Sequence, residues 1–244
     1  MKPPSLIGLT YSPWTEKARW ALDHCKIPYH YQMYSPLFGE LSARLKTKCW
    51  RQKITVPILL SHDPALMDSF HIAQWAARRT ENQQLFCDLE EVTRWNALSE
   101  SALAAGRALL TCRVSQDSAA KTDYLPPWLP KVLWGTLGPG LAKTGIAFFR
   151  FKYRFSKHDT GQWLKMLTTS LEEMAVVLSR QNYLLGRFSF ADIAMAVVLQ
   201  FVKPVENQPI KIPARSAGCW ETPDLQERFG HLLAWRDELY ANHR

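Results

Sequence analysis

The residues best placed to do chemistry lie near the start of the chain, in the stretch Ser12-Pro13-Trp14-Thr15. A short apolar run over residues 6–9 precedes this stretch and is typical of a buried strand, and apolar residues at helical spacing follow it. Proline is favoured just inside the start of a helix, because its missing N–H would have no partner there. Ser12 is therefore predicted at a turn from strand to helix, near unpaired N–H groups and the positive end of the helix dipole. Such a position can hold a negatively charged atom, and a simple serine N-cap is the alternative.

A second candidate site is the pair Asp68-Ser69, which stands at the predicted start of another helix. Either residue can cap that helix, and the N–H groups at a helix start also bind carboxylates. Before this pair, residues 54–60 form an apolar run that predicts a strand with Pro57 near its beginning. Proline within a strand is normally confined to edges, bulges and first positions, so Pro57 marks an unusual point in the chain.

Ser189 and Asp192 have the spacing of a capping box at a helix start. In this motif the side chain of each residue accepts a hydrogen bond from the backbone N–H of the other. Gly186 stands just before the pair and is suited to a tight turn. We interpret both capping residues as structural, with no part in chemistry.

Taken in order along the chain, these motifs resemble the glutathione S-transferase family. Ser12 and Thr15 occupy the places of the two cysteines in the Cys-Pro-aromatic-Cys motif of a glutaredoxin, which excludes dithiol redox chemistry at this site. Residues 17–22 are similar to the first helix of many bacterial transferases. Val56-Pro57 resembles the cis-proline signature of thioredoxin-like folds, and the capping box resembles that of the family's helical domain.

The resemblance implies an α/β N-terminal thioredoxin-like domain followed by an all-α C-terminal helical domain. We place the first domain at residues 1–80, a polar linker at residues 81–88 and the helical domain at residues 89–244. The chain's own periodicity agrees, because strand signals largely disappear after residue 80. Helical spacing predicts helices over residues 89–111, 163–180 and 224–242. By resemblance we also expect a homodimer with two-fold symmetry.

The function implied by the resemblance is that of a glutathione transferase, with glutathione as co-substrate and no metal. The Ser12 hydroxyl would donate a hydrogen bond to the glutathione thiolate, which attacks a small hydrophobic electrophile. Tyr11 is an alternative hydroxyl donor. The family resemblance also assigns residues to the two parts of the site. The residues expected to bind glutathione are Lys53, Val56, Pro57, Asp68 and Ser69, with Arg51 beside Lys53 at the glycyl carboxylate; those expected to line the electrophile site are Tyr11, Trp14, Phe148, Phe149 and Tyr153.

Composition limits the other function classes. The 244-residue chain has a net charge of +8 and a sequence pI of about 9.3, which suits an anionic partner such as glutathione. The five cysteines are scattered and form no C-x-x-C pair, so neither a disulfide framework nor a zinc site is predicted. The start of the chain does not resemble a signal peptide, and no apolar run is long enough to span a bilayer. We therefore expect a cytoplasmic protein.

Two alternatives to a transferase remain open from the sequence. The first is a transferase-like binding or structural protein that keeps the fold but has little or no turnover. The second uses the basic aromatic stretch over residues 148–155, which is able to contact a membrane surface or nucleic acid. We favour the transferase and expect no nucleic-acid partner.

Overall fold

The N-terminal part of the chain forms a four-stranded sheet. A computed structural model describes residues 3–35, 39–61, 64–80, 83–125, 134, 138, 140, 143–144, 147, 159–205 and 210–244. The strands are β1 (Ser5–Gly8), β2 (His30–Met33), β3 (Ile58–Leu60) and β4 (Leu66–Met67). They lie in the order β2-β1-β3-β4; β1 and β2 are parallel, and the other two pairs are antiparallel. A helix joins β1 to β2, so this parallel pair is a βαβ unit.

Three helices cover this sheet: α1 (Pro13–His24), α2 (Gly39–Thr47) and α3 (Ser69–Arg79). Side chains alternate across the strands, so Leu6 and Leu59 pack with α1 and α3, whereas Ile7 and Ile58 pack with α2. The strand predicted over residues 54–60 is shorter in the structure, because β3 begins only after the cis peptide bond between Val56 and Pro57. The two-residue strand β4 was not predicted, since a strand of that length has no detectable periodicity.

The rest of the described chain is helical. After a 3-10 helix (Gln83–Phe86) come α4 (Leu89–Gln116), α5 (Ser118–Thr122), α6 (Thr160–Leu178), α7 (Phe190–Ala196) with a 3-10 extension (Val197–Phe201), a 3-10 turn (Ala214–Ser216), α8 (Ala217–Trp220), α9 (Pro223–Arg228) and α10 (Gly230–His243). The long helix α4 packs against α6 and α7, and every residue of α7 is buried. A Cβ at Gly106 would collide with the ring of Phe201, so glycine allows α4 to approach this closely. The expected combination of an α/β domain with a helical domain is confirmed.

All three helix predictions differ from the structure in their bounds. The helix predicted over residues 163–180 begins earlier and ends earlier, at Thr160–Leu178. The helix predicted over residues 89–111 continues to Gln116, where Asp117 ends it and caps the next helix. The single helix predicted over residues 224–242 is wrong, because the chain breaks at Phe229 into α9 and α10. Phe229 leaves the helical backbone region (φ −115°, ψ 30°), and its ring is buried in the helical core. Among the described residues, no helix is both long and apolar enough to cross a membrane.

Candidate active site at the start of the first helix

The sheet register brings the sequence-predicted site residues to one end of the sheet. Ile7 in β1 pairs with Ile58 in β3, and Ile58 pairs with Met67 in β4. One residue beyond this row lie the cis proline at 57 and Asp68, and the chain leaving β1 leads into Ser12. The three motifs, which are separated by more than ten residues in sequence, therefore meet where β1 ends.

Ser12 occupies the N-cap position of α1. Its backbone is extended (φ −83°, ψ 122°), Pro13 is the first helical residue, and the carbonyl of Ser12 accepts the N–H of Glu16 at 3.0 Å. The Ser12 side chain makes no capping hydrogen bond. It is 8% exposed and lies at the positive end of the helix dipole. The simple N-cap interpretation of Ser12 therefore does not account for its hydroxyl.

Thr15 supports the turn that carries Ser12. Its hydroxyl oxygen accepts the N–H of Leu9 at 3.2 Å, and the side chain is 1% exposed. A Cβ at Gly8 would lie 2.5 Å from the Thr15 methyl group, so the close approach of β1 to α1 requires glycine here. The residue that stands in the place of a second cysteine thus holds the backbone of the turn.

The structure shows which of Asp68 and Ser69 caps the helix, a role that the sequence allowed for either residue. Asp68 is the N-cap of α3, and its carboxylate accepts the N–H of Phe70 at 2.7 Å. It has a φ of 90°, which is unusual for a residue other than glycine and is often found at ligand-binding positions. Ser69 is 1% exposed, and its hydroxyl has no hydrogen-bond partner among the described residues. A buried hydroxyl without a partner is unfavourable, so the described fold does not account for the hydroxyl at this position.

The other residues expected at glutathione differ in exposure. Pro57 is buried, Val56 is partly buried, and both Lys53 and Arg51 are exposed. Lys53 and Arg51 follow α2 on the loop that leads to the cis peptide bond. Their exposed side chains can therefore contact an anionic ligand near that end of the sheet.

A polar cluster between the two domains was missed by the sequence analysis. The Lys17 ammonium is fully buried and donates to Asn96 Oδ1 at 3.2 Å and to Glu100 Oε1 at 2.8 Å. The indole N–H of Trp14 donates to the second oxygen of Glu100 at 2.6 Å. Burial lowers the pKa of Lys17, and the charge of Glu100 opposes that shift. The available signal was a lysine three residues from Trp14, on the apolar face of α1.

Aromatic residues of the helical domain surround the turn before α1. The ring of Tyr11 lies edge-on to Tyr124, with centroids 5.9 Å apart, and to Trp220 at 6.5 Å. The guanidinium of Arg107 stands 4.7 Å from the ring centre of Trp14. Of the residues expected to line an electrophile site, Tyr11 and Trp14 thus lie between the domains, whereas Phe148, Phe149 and Tyr153 lie outside the described residues.

A buried ion pair fixes α1 from its other side. Glu16 is 1% exposed and accepts a hydrogen bond from the Arg244 guanidinium at 2.6 Å. Burial raises the pKa of Glu16, and the charge of Arg244 opposes this shift. Close by, the indole N–H of Trp20 donates to the carbonyl of His243 at 2.7 Å. Helix α1 is therefore held by charged residues from α4 and from the end of the described chain.

No group of histidine, cysteine and carboxylate side chains in the described part of the chain is arranged to hold a metal ion. The five cysteines are free thiols.

Residues 11–79 match the family model described as "Glutathione S-transferase, N-terminal domain". A glutathione S-transferase from Methylobacterium radiotolerans in complex with glutathione sulfonate superposes with a TM-score of 0.64 and 18% identity, covering 99% of this chain and 92% of that one. A glutathione S-transferase from Methylobacillus flagellatus with glutathione bound superposes with a TM-score of 0.60 and 16% identity, covering 97% of this chain and 94% of that one. The beta-etherase LigF from Sphingobium sp. superposes with a TM-score of 0.64 and 14% identity, covering 99% of this chain and 96% of that one. Comparison with curated proteins finds no match.

Proposed function

Since the N-terminal part of this chain belongs to the glutathione S-transferase family and the whole chain has that family's fold, we propose that it is a glutathione transferase acting through Ser12. In this mechanism the Ser12 hydroxyl donates a hydrogen bond to the sulfur of bound glutathione. The thiol releases its proton to solvent water, and the thiolate forms a carbon–sulfur bond to a small hydrophobic electrophile; with an aryl halide, the carbon–halogen bond breaks and the halide ion leaves. The proposal is carried by one observation: the buried Ser12 hydroxyl stands at the positive end of α1 and makes no capping hydrogen bond.

Glutathione is expected to lie along the end of the sheet where the three motifs meet. Its γ-glutamyl carboxylate would accept hydrogen bonds from the Ser69 hydroxyl and N–H at the start of α3. Asp68 would face the γ-glutamyl amino group. The backbone of Val56, beside the cis Pro57, would pair with the cysteinyl part. Lys53, with Arg51 near it, would meet the glycyl carboxylate.

The energies required are within reach of one hydroxyl and one helix end. A free thiol of this kind has a pKa of about 8.5, so only about 3% is thiolate at pH 7. Lowering that pKa by about two units needs roughly 2.7 kcal/mol of selective thiolate stabilisation. A hydrogen bond to a charged group contributes about 1.5–3 kcal/mol, and a helix N-terminus adds about 0.3–1 kcal/mol. The mechanism therefore needs no metal and no separate base.

The electrophile is expected to bind between the domains, against Tyr11 and Trp14. Tyr124 and Trp220 extend this aromatic surface from the helical domain. The residues predicted from the sequence to add to it are Phe148, Phe149 and Tyr153. An aromatic lining of this kind suits a small apolar substrate better than a charged one.

The test is the substitution Ser12→Ala. Loss of one hydrogen bond to the thiolate should raise the pKa of bound glutathione by about 1–2 units. Conjugation at pH 6.5 should then fall about 5- to 50-fold in kcat, because the thiolate fraction falls by that factor, with a nearly unchanged KM for glutathione. The thiol pKa is measured by titrating the ultraviolet absorbance of the bound thiolate, and kcat is measured with a generic aryl halide.

Tyr11→Phe is the matched control, because it removes the other hydroxyl that the sequence offered as a donor. We expect Tyr11→Phe to leave the pKa of bound glutathione unchanged. If Tyr11→Phe rather than Ser12→Ala raises that pKa, the assignment of Ser12 is wrong. If the wild-type protein binds glutathione but conjugates no halide, epoxide, peroxide or aryl ether, the chain is a binding protein and the transferase proposal fails.

We also propose that the chain forms a homodimer with two-fold symmetry. Light scattering coupled to size-exclusion chromatography tests this directly, with an expected mass of twice the 28.1 kDa of one chain. A mass of one chain at micromolar concentration contradicts the proposal.

A further inference from the structure

Helix α2 carries an apolar strip that points away from the protein. Leu41 and Leu45, one turn apart, are 61% and 60% exposed, and Trp50 on the following loop is 58% exposed. The opposite side of α2 is used for packing, where Ala43 is 2% exposed against the sheet. Exposed leucines at helical spacing beside an exposed tryptophan form an apolar surface that the described fold does not cover.

The same segment is uniformly basic. Residues 41–53 contain five lysine and arginine residues and no acidic residue. Arg44 is neutralised by Glu40, whose carboxylate lies 2.8 Å from the guanidinium. The remaining basic side chains are all exposed; they are Lys46, Lys48, Arg51 and Lys53. We call the exposed side chains of residues 41–53 the α2 surface.

Arg44 gives the α2 surface its shape. Its guanidinium donates to the carbonyl oxygens of Cys49, Trp50 and Gln52 at 3.3, 2.9 and 3.2 Å. These bonds fold the loop back against the side of α2 that borders the leucines, so Trp50 and the leucines belong to one region. Lys46 is also held, by a 2.8 Å hydrogen bond from its ammonium to Gln32.

We propose that the α2 surface docks on an anionic lipid membrane, a role that goes beyond glutathione conjugation. Leu41, Leu45 and Trp50 enter the interfacial region of the bilayer, and Lys46 and Lys48 lie against anionic headgroups. A basic segment that exposes apolar side chains, here two leucines of α2 and the tryptophan of the following loop, is typical of a protein that lies on a membrane without crossing it. Each lysine or arginine near such a surface strengthens binding about fivefold.

Two other occupants fit the α2 surface less well than a membrane does. A second copy of this chain, related by a two-fold axis through the α2 surface, would bring like charges together. A nucleic acid would use the cations and stack on Trp50, but the two exposed leucines would gain nothing from a phosphate backbone. Both occupants are distinguished by the experiment below.

The experiment is sedimentation of the full chain with vesicles of phosphatidylcholine containing 30% phosphatidylglycerol, at low salt. The wild-type protein is expected to bind these vesicles, and vesicles of phosphatidylcholine alone much more weakly. The double variant Leu41→Gln/Leu45→Gln should bind the anionic vesicles at least tenfold more weakly. Lys46→Gln/Lys48→Asn, in which asparagine suits the positive φ of 55° at position 48, should also weaken binding at least tenfold.

Leu89→Gln/Val176→Gln is the matched control, because these side chains are 53% and 60% exposed on other helices. It should bind vesicles as the wild-type protein does, and all variants should keep the wild-type affinity for glutathione. The proposal is overturned if the wild-type protein does not sediment with anionic vesicles at low salt. It is also overturned if Leu41→Gln/Leu45→Gln binds these vesicles as well as the wild-type protein does, or if this variant changes the oligomeric state. Tighter binding of the wild-type protein to an oligonucleotide than to anionic vesicles at the same total negative charge would overturn it too.

Discussion

At the scale of single residues, the informative feature is a pair of buried serines with opposite uses of their hydroxyl groups. The Ser99 hydroxyl, fully buried in α4, donates to the carbonyl of Ala194. The Ser69 hydroxyl is equally buried and has no partner among the described residues. A buried hydroxyl that donates a hydrogen bond stabilises the fold, whereas one without a partner lowers stability. The fold alone gives no reason for Ser69.

This contrast predicts that Ser69→Ala has effects of opposite sign on stability and on binding. Without ligand, the free energy of unfolding should stay unchanged or rise by up to about 1 kcal/mol, because an unpaired polar group is removed. The Kd for glutathione should rise about 10- to 100-fold, the equivalent of a hydrogen bond to a carboxylate. Urea denaturation measures the first quantity, and titration calorimetry measures the second.

Ser99→Ala provides the control for Ser69→Ala. It should lower the free energy of unfolding by about 1–3 kcal/mol, because the carbonyl of Ala194 loses its donor in a buried position. Its affinity for glutathione should not change. A Ser69→Ala variant that is destabilised like Ser99→Ala and binds glutathione normally would show that Ser69 serves only the fold.

At the scale of elements, helix α7 depends on its start. The buried carboxylate of Asp192 accepts hydrogen bonds from the N–H groups of Leu184 and Ser189, each at 2.8 Å, and from the Ser189 hydroxyl at 3.0 Å. Gly186 turns the chain between them, with a φ of 71°. Burial raises the pKa of Asp192 to about 6, although the three hydrogen bonds favour the ionised form. Desolvation of the charge therefore outweighs the capping bonds.

The raised pKa predicts how stability depends on pH. Because the folded protein holds the Asp192 proton more tightly than the unfolded chain, this residue's contribution to stability falls as pH rises from about 4 to about 6. A difference of about two pKa units amounts to about 2.7 kcal/mol. Asp192→Asn should remove this dependence and lower stability at every pH, since an amide has only one oxygen for the three donors. Denaturation from pH 4 to pH 7 measures both effects.

The comparison of Asp192→Asn with the wild type cancels the titration of all other groups. The stability difference between the two proteins should therefore be larger at pH 4 than at pH 7. A constant difference across this range would mean that Asp192 has an ordinary pKa in the folded protein.

At the scale of the whole molecule, charged side chains on α1 connect the sheet domain to the helical domain. Lys17 reaches α4 through Glu100 and Asn96, and Glu16 binds Arg244 beyond α10. Because Ser12 begins the same helix, the helical domain fixes the position of the proposed thiolate donor. The two domains thus share an interface that also positions the proposed active site.

This arrangement predicts an asymmetry between the two partners of the Lys17–Glu100 pair. Glu100→Gln leaves a fully buried ammonium without its counter-charge, so unfolding should become easier by about 1–3 kcal/mol. This loss of stability is smaller than expected for a fully buried ion pair, because the Glu100 side chain is 36% exposed and water screens the interaction in part. Lys17→Met removes the buried charge at similar volume, and Glu100 can then be hydrated, so the loss should stay below about 1 kcal/mol.

Chemical denaturation of the two variants, with the double variant to close the cycle, measures this asymmetry. If Lys17→Met is the more damaging of the two, the buried charge itself stabilises the interface, and our account of the pair is wrong.

The sequence by itself predicted the features that depend on neighbouring residues. The Ser12-Pro13 turn, the helix start at Asp68-Ser69 and the capping box at Ser189 are all local, because backbone hydrogen bonds over a few residues determine them. Periodicity and motif order were also enough to indicate the family resemblance and the two-part fold. The family model over residues 11–79 and the solved structures confirm both.

Only the tertiary structure decided which polar groups the fold uses and which it leaves available. It assigned the cap of α3 to Asp68 and buried Lys17 against Glu100. It also left the Ser69 hydroxyl without a partner in the part of the chain that the structure describes. It also placed Tyr11 against Tyr124 and Trp220 from the other domain. The physical reason is that burial and hydrogen-bond pairing depend on contacts between residues far apart in the chain, whereas sequence patterns report only on neighbours.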